Sequence, residues 1–376
     1  MKLAICLLAL LVTVAHAATV QETATPERGI QPRALMDADS TLHLVWYKGE
    51  AGGGDLFYAR QPKGGNLSAA LRVNSEAQTA VSAGTIRGAQ VVLGRAGSVH
   101  VVWNGARAKN DKDSRPPMFY TRLEAGKSAF EPQRALTESK WILDGGGAVA
   151  ADHAGHVFVI WQAGDGSGEA NRRVLARVSS DDGQTFGEER TLSPEGTGVC
   201  GCCAMQALAT DDGGVYVLYR TASDGGKNRD VALLASHDGG KTFAFRNLDP
   251  WPISACPMSS MSLAATPRGV VGAWETMGQI HLGFIDAAGA KSAWITLPEG
   301  KVKPQKFPSL SVGADGKLLI TWSEGAGWQK TGGLAWELLQ PNLQPQGDPS
   351  RSAAGGIAVW SFPSAVAKGD GFVIYR

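Results

Sequence analysis

A short alternating apolar segment closed by an aromatic residue recurs along the chain, and this repeat limits the fold more than any single motif. Leu42-His43-Leu44-Val45-Trp46 is followed by Val99-His100-Val101-Val102-Trp103, Val157-Phe158-Val159-Ile160-Trp161 and Val215-Tyr216-Val217-Leu218-Tyr219. Val270 to Trp274, Leu318 to Trp322 and Phe372 to Tyr375 complete the series. The closing aromatics at 46, 103, 161, 219, 274, 322 and 375 are spaced by 57, 58, 58, 55, 48 and 53 residues. Periods of this size mark arrays of one supersecondary unit.

A second apolar strand and a tight turn precede each segment, as in Ala207 to Gly214 and Val149 to Gly155. Asp and Gly in those turns supply the local hydrogen bonding and positive φ that tight hairpins need. Two more strand-like stretches follow most aromatics, such as Val174 to Val178 and Glu188 to Leu192. The unit therefore has four strands. Nearly continuous apolar strands are buried on both faces, and radially stacked blades provide that environment. These features predict an all-β chain, a β-propeller of four-stranded blades. There are seven inner hairpins but six following strand pairs. A strand within Thr19 to Thr25 would pair with the last hairpin and close a ring of seven, and six blades with an extra hairpin is the alternative. No Pro-rich or Ser-rich linker divides the repeats, so 18–376 reads as one domain.

The formal net charge is +1. No basic or acidic excess points to nucleic acid or to a charged membrane surface. Lys2, the apolar run Leu3 to Val14 and the small residues of Ala15-His16-Ala17 read as a cleavable signal peptide over 1–17. The run is too short to span a bilayer comfortably. The expectation is a periplasmic or secreted protein without a transmembrane span, from which Cys6 departs with the signal.

Two sequences match the Asp-box pattern Ser-x-Asp-x-Gly-x-Thr-aromatic: Ser179, Asp181, Gly183 and Phe186, then Ser236, Asp238, Gly240 and Phe243. Both fall between the third and fourth strands of their units, where the carboxylate can accept backbone N–H bonds and the aromatic can pack inward. Weaker versions run from Thr121 to Phe130 and from Asp286 to Trp294. On these motifs and the repeat, the chain resembles the sialidase, or BNR-repeat, propeller superfamily. The repeat carries the resemblance over the whole mature chain, the Asp boxes only over blades three and four. The resemblance implies three arginines clamping a substrate carboxylate, a Tyr nucleophile with a Glu, and an Asp acid/base. The family's first arginine lies in an Arg-Ile-Pro segment. The matching stretch is Ile30-Gln31-Pro32-Arg33-Ala34-Leu35, which puts Gln31 at that place and Arg33 on another phase. Arg87, Arg122 and Arg220 match no family position, and the last two read as ordinary charge near strand ends.

The most unusual local feature is sulfur. Blade four opens with Cys200-Gly201-Cys202-Cys203-Ala204-Met205 and blade five with Cys256-Pro257-Met258-Ser259-Ser260-Met261. Cys203, Met258 and Arg87 each precede their closing aromatic by 16 residues. Equal spacing places all three at the start of an innermost strand, at one mouth of the central channel, with Lys306 as a further polar candidate there. Three readings follow. Cys256 pairs with Cys200 or Cys202 in a disulfide, as oxidising compartments permit. Alternatively Cys200, Cys202, Cys203 and Cys256, with Met205, Met258 and Met261, hold a metal, thiolate and thioether favouring copper and thiolates alone also suiting zinc. The third is an exposed redox thiol at Cys202 or Cys203, for which no neighbouring residue in sequence lowers a thiol pKa.

His43 and His100 read as packed core or channel residues, His237 as exposed. The loops 106–117, 164–173 and 223–229 emerge on one face and could carry binding. Trp141, Trp251, Trp328 and Trp360 lie outside the repeat and could stack on a sugar. The preferred function is a non-catalytic binding protein with the Cys/Met mouth as its site, its ligand a metal ion, a glycan or a protein. The alternatives are an exo-acting, sialidase-type glycosidase on sialic-acid-like glycans and a protein-docking assembly scaffold.

Overall fold

A computed structural model describes residues 18–106, 115–137, 142–285 and 294–376. The expected signal segment 1–17, Trp141 and most of the 286–294 stretch lie outside the described residues. Six four-stranded antiparallel sheets and one of three strands make up the fold. Each innermost strand contacts the next, and that of the seventh blade contacts that of the first, so the blades form a closed ring. The chain is a seven-bladed β-propeller, and the six-blade alternative falls away.

The closing blade departs from the four-strand rule. Its strands are Ser364–Lys368, Gly371–Tyr375 and the N-terminal Val20–Thr23. Val20–Thr23 pairs parallel to Gly371–Tyr375, with Val20 opposite Phe372. A parallel partner from the other end of the chain ties the ring shut where a hairpin could not.

The repeated apolar segments are the second strands, and Val157–Gly164 and Val215–Arg220 are buried at every position. Between blades three and four, Ala148, Ile160 and Val174 pack on Met205, Val217 and Leu234. The closing aromatics Trp46, Trp103, Trp161, Tyr219, Trp274 and Trp322 are all at most 1% exposed.

The Asp boxes lie at the face opposite the starts of the innermost strands. In the first, the Ser179 hydroxyl donates to Asp181 at 2.6 Å and accepts from the Gly183 N–H at 2.8 Å. Thr185 donates to the same carboxylate through its N–H at 2.9 Å and its hydroxyl at 2.6 Å. Ser236, Asp238, Gly240 and Thr242 repeat these contacts. Burial opposes ionisation of Asp181, but the bonds from Ser179 and Thr185 hold its pKa well below the usual carboxylate range. Gly183 has φ +78°, and a Cβ there would stand 1.8 Å from the Tyr120 hydroxyl, so only glycine fits. Phe186 meets Tyr120 edge-on at 4.8 Å, and Phe130 of the weaker blade-two version meets Tyr58 in the same way at 5.5 Å. The turns thus also fasten each blade to the one before it.

His43 and His100 are packed polar residues. Each bonds a tyrosine hydroxyl at 2.8 Å, His43 to Tyr58 and His100 to Tyr120.

Glu337 is the least compensated carboxyl in the core. It lies opposite Ile320 in the third strand of blade six and is 3% exposed. Neither of its oxygens has a hydrogen-bond partner among the described residues. Burial, aided by the negative charge of Asp348, pushes its pKa from 4.5 up to about 7. The folded state therefore keeps a proton that the unfolded chain has lost. That contribution is fully present below the unfolded pKa and disappears as pH rises through about 7. Relative to Glu337→Gln, the wild type is expected to lose stability between about pH 5 and about pH 8. Urea midpoints at both pH values test this, and a difference that stays constant with pH would refute it.

Candidate functional site

The run leading into blade four forms a tight turn before the innermost strand Gln206–Ala209. The Cys200 N–H donates to the Arg220 carbonyl at 2.9 Å, and the Cys203 N–H to the Cys200 carbonyl at 3.5 Å. This turn brings three thiols together. Cys200 Sγ lies 3.3 Å from Cys202 Sγ and 3.4 Å from Cys203 Sγ, and all three sulfurs fall within 4.8 Å of one another. Cys200 and Cys203 are 1% and 2% exposed, and Cys202 is half-buried.

Both neighbouring blades close on the turn. On the blade-five side, the Ala204 N–H donates to the Ser259 carbonyl at 3.0 Å. The Ser259 hydroxyl lies 3.9 Å from Cys203 Sγ. On the blade-three side, the Gln162 amide donates to the Cys203 carbonyl at 3.2 Å. Gly145 has φ +78°, and a Cβ there would stand 2.7 Å from the Gly201 carbonyl, so glycine is what lets the turn sit this close.

The loops after the second strands of blades three and four carry the charges. Glu169 accepts the Gly201 N–H at 2.6 Å and binds Arg172 at 2.9 Å and Arg229 at 2.7 Å. Arg220 donates from Nε to the Ser259 hydroxyl at 3.2 Å, and its two terminal nitrogens bond the carbonyls of Arg229 and Glu275. Its guanidinium lies 5.0 Å over the Trp251 ring. Lys306 bonds the Pro257 and Met258 carbonyls and lies 3.6 Å from the Glu275 carboxylate.

These surroundings separate the thiols. Burial opposes ionisation of Cys203, but hydrogen bonds from Cys200 and Cys202 and the charge of Arg220 outweigh it, and its pKa falls well below the ordinary thiol value. Cys202 is pushed up by its bonds to Cys200 and Cys203 and by burial. Cys200 is also raised: its contact with Cys202 pulls the other way, but the bond to Cys203 and burial prevail. The cation acting on Cys203 is Arg220, which ends the second strand of the same blade.

Several expectations change here. All four cysteines are free, and the closest sulfur separations exceed the bonding distance of about 2.05 Å. Cys256 is exposed and is not one of the clustered thiols, so the disulfide from Cys256 to Cys200 or Cys202 is not formed. Met205 packs in the apolar core between blades three and four, and Met261 packs between blades four and five. Adjacent blade starts meet, but these side chains turn into the walls rather than toward the mouth. Met258 is half-buried with φ +50°, its carbonyl held by Lys306. Arg87 donates to the Ala83 carbonyl at 3.0 Å.

The arginines read as surface charge are buried. Arg122 bonds Glu131 at 2.6 Å and the Asp182 carbonyl at 2.7 Å, on the Asp-box side. Arg220 is spent on protein carbonyls beside the thiols. Gln31, at the family's first-arginine place, donates its amide to the carbonyls of Ser82 and Trp360. Arg33 lies 4.3 Å over the Phe362 ring. Trp328 is 56% exposed and meets Trp360 edge-on at 4.6 Å. Sequence reasoning missed Glu169 and Arg229, which stood in polar loops without a motif. Residues 107–114 of the third loop lie outside the described residues.

No family model and no curated protein matches the sequence. Solved structures are similar in fold. A Dyadobacter fermentans protein of unknown function is 14% identical with TM-score 0.55, covering 79% of this chain and 90% of its own. An alpha-L-arabinanase of Penicillium chrysogenum is 11% identical with TM-score 0.54, covering 85% and 95%. The NanB sialidase of Streptococcus pneumoniae is 9% identical with TM-score 0.51, covering 79% and 65%. At these identities the likeness is one of fold, that of a β-propeller. Among the described residues no helix is long and apolar enough to cross a membrane.

Proposed function

We propose that this propeller is an exported, single-domain, non-catalytic binding protein whose channel mouth holds a thiophilic metal ion between Cys200, Cys202 and Cys203. The observation that carries this reading is the convergence of three thiol sulfurs within 4.8 Å on one buried turn. Thiolate sets select copper or zinc over hard cations. Ionised ligands are needed for binding, and Cys203 is already biased toward the thiolate. The glycosidase reading draws no support from the arginines, since Arg220 and Gln31 are committed to protein carbonyls.

The test is metal content and thiol count on the mature chain, without residues 1–17 and so without Cys6, purified without chelators. The expected result is about one copper or zinc per chain, with four thiols titrating after denaturation in chelator. Cys203→Ser is expected to reduce retained metal by at least about tenfold. A chain that binds neither copper nor zinc when challenged would overturn the reading. Sialoside cleavage unaffected by Cys203→Ser would move the function to the glycosidase class.

A further inference from the structure

Resting on that reading, we infer that the ion is Cu(I), held by three sulfurs as a doubly negative thiolate unit, with Arg229 as the positioning residue that compensates its charge. Three observations converge. Among the described residues the group consists of the three cysteines, with no imidazole or carboxylate in it. The nearest carboxylate, Glu169, is occupied by Arg172, Arg229 and the Gly201 N–H. Three soft donors without a fourth suit Cu(I), whereas structural zinc takes four ligands.

The second observation is charge. Arg229 is linked to the turn through Glu169, which also takes the Gly201 N–H, and Arg220 through Ser259, whose hydroxyl lies 3.9 Å from Cys203 Sγ. Three thiolates with one Cu(I) carry two negative charges, and these two guanidinium groups are the cations linked to the turn that holds them.

The third is a pair of orphaned donors. Arg229 is 6% exposed, and its Nε and Nη1 have no hydrogen-bond partner among the described residues. Its remaining terminal nitrogen is the one that binds Glu169. Glu169 ties Arg229 to the thiol turn, taking its Nη2 at 2.7 Å and the Gly201 N–H at 2.6 Å. Buried N–H donors without partners are costly. Thiolate sulfurs carrying metal-bound charge are acceptors of the kind these donors lack, and such outer contacts tune metal affinity. In the binding step three S–Cu bonds form, and each S–H bond still present breaks with its proton leaving to solvent. Copper enters and stays as Cu(I), so no electron is transferred.

The experiment is anaerobic titration of the full chain with Cu(I) against a chromophoric Cu(I) chelator, beside a Zn(II) titration, with X-ray absorption of the copper-loaded wild type. The expected result is one Cu(I) with three sulfur neighbours and no light-atom ligand. Arg229→Gln is expected to weaken Cu(I) about 10–100-fold and Zn(II) less, with Arg229→Lys recovering most of the loss. A two-coordinate or mixed sulfur–oxygen spectrum overturns the inference, independently of how the variants fold. Equal weakening of both ions by Arg229→Gln also overturns it. Failure of the wild type to bind either ion is a separate outcome that removes the metal reading itself.

Discussion

Arg220→Leu is expected to destabilise the protein by about 3–5 kcal/mol, because each buried polar group left without its partner costs about 1–3 kcal/mol. Arg220 is 1% exposed and ends the second strand of blade four. It bonds the Arg229 carbonyl within its own blade, and the Glu275 carbonyl and Ser259 hydroxyl of blade five. Leucine would strand two carbonyls and a hydroxyl, and would lose the guanidinium face over Trp251. Arg220→Lys is expected to fall between the two, since a single ammonium cannot serve three acceptors in a fixed fork. Urea-unfolding midpoints measure both. A loss below about 1 kcal/mol for the leucine variant would mean that the fork is not what joins these blades.

Trp161→Ala is expected to cost a similar amount, about 3–5 kcal/mol, through cavity formation. Trp161 is fully buried and packs with Val102 and Met118 of blade two and Leu175 of its own blade. The rigid walls come from two sheets held by backbone ladders, so the space left by an indole cannot collapse. Trp328→Ala provides the contrast. That ring is 56% exposed, and its loss is expected to cost under about 1 kcal/mol. Thermal and urea unfolding of the two variants side by side check the pair. Equal losses would contradict the assignment of the repeated aromatics to the inter-blade core.

The repeat made most of the fold legible before any coordinates. Period-two strands closed by an aromatic are a local pattern, and burial on both faces writes itself into a sequence as a continuous apolar run. The Asp boxes were legible for the same reason: Ser179, Asp181, Gly183 and Thr185 satisfy one another within seven residues. The ring closed with the N-terminal strand because the last hairpin lacked following strands, a deficit visible by counting. The hairpin and the one N-terminal strand give the closing blade its three strands.

The site divides differently. Equal spacing to the aromatic put the cysteines of blade four at the entry to an innermost strand, and their turn does lead into Gln206–Ala209. Sequence could not tell which sulfurs would meet. Met205 and Met261 follow the pleat into the blade walls, and Cys256 stays on an exposed stretch, although all three lie in the segments that open blades four and five. Nor could it supply the charges. Glu169 and Arg229 arrive from loops that follow the second strands of blades three and four, and they meet the thiol turn only because adjacent blades stand side by side. Local hydrogen bonding and burial periodicity are properties of a segment, and the sequence determined them alone. The electrostatics around Cys203 depend on thiols gathered by one turn, on Arg220 at the end of the second strand of the same blade and on Ser259 of the next, and only the tertiary structure decided those contacts.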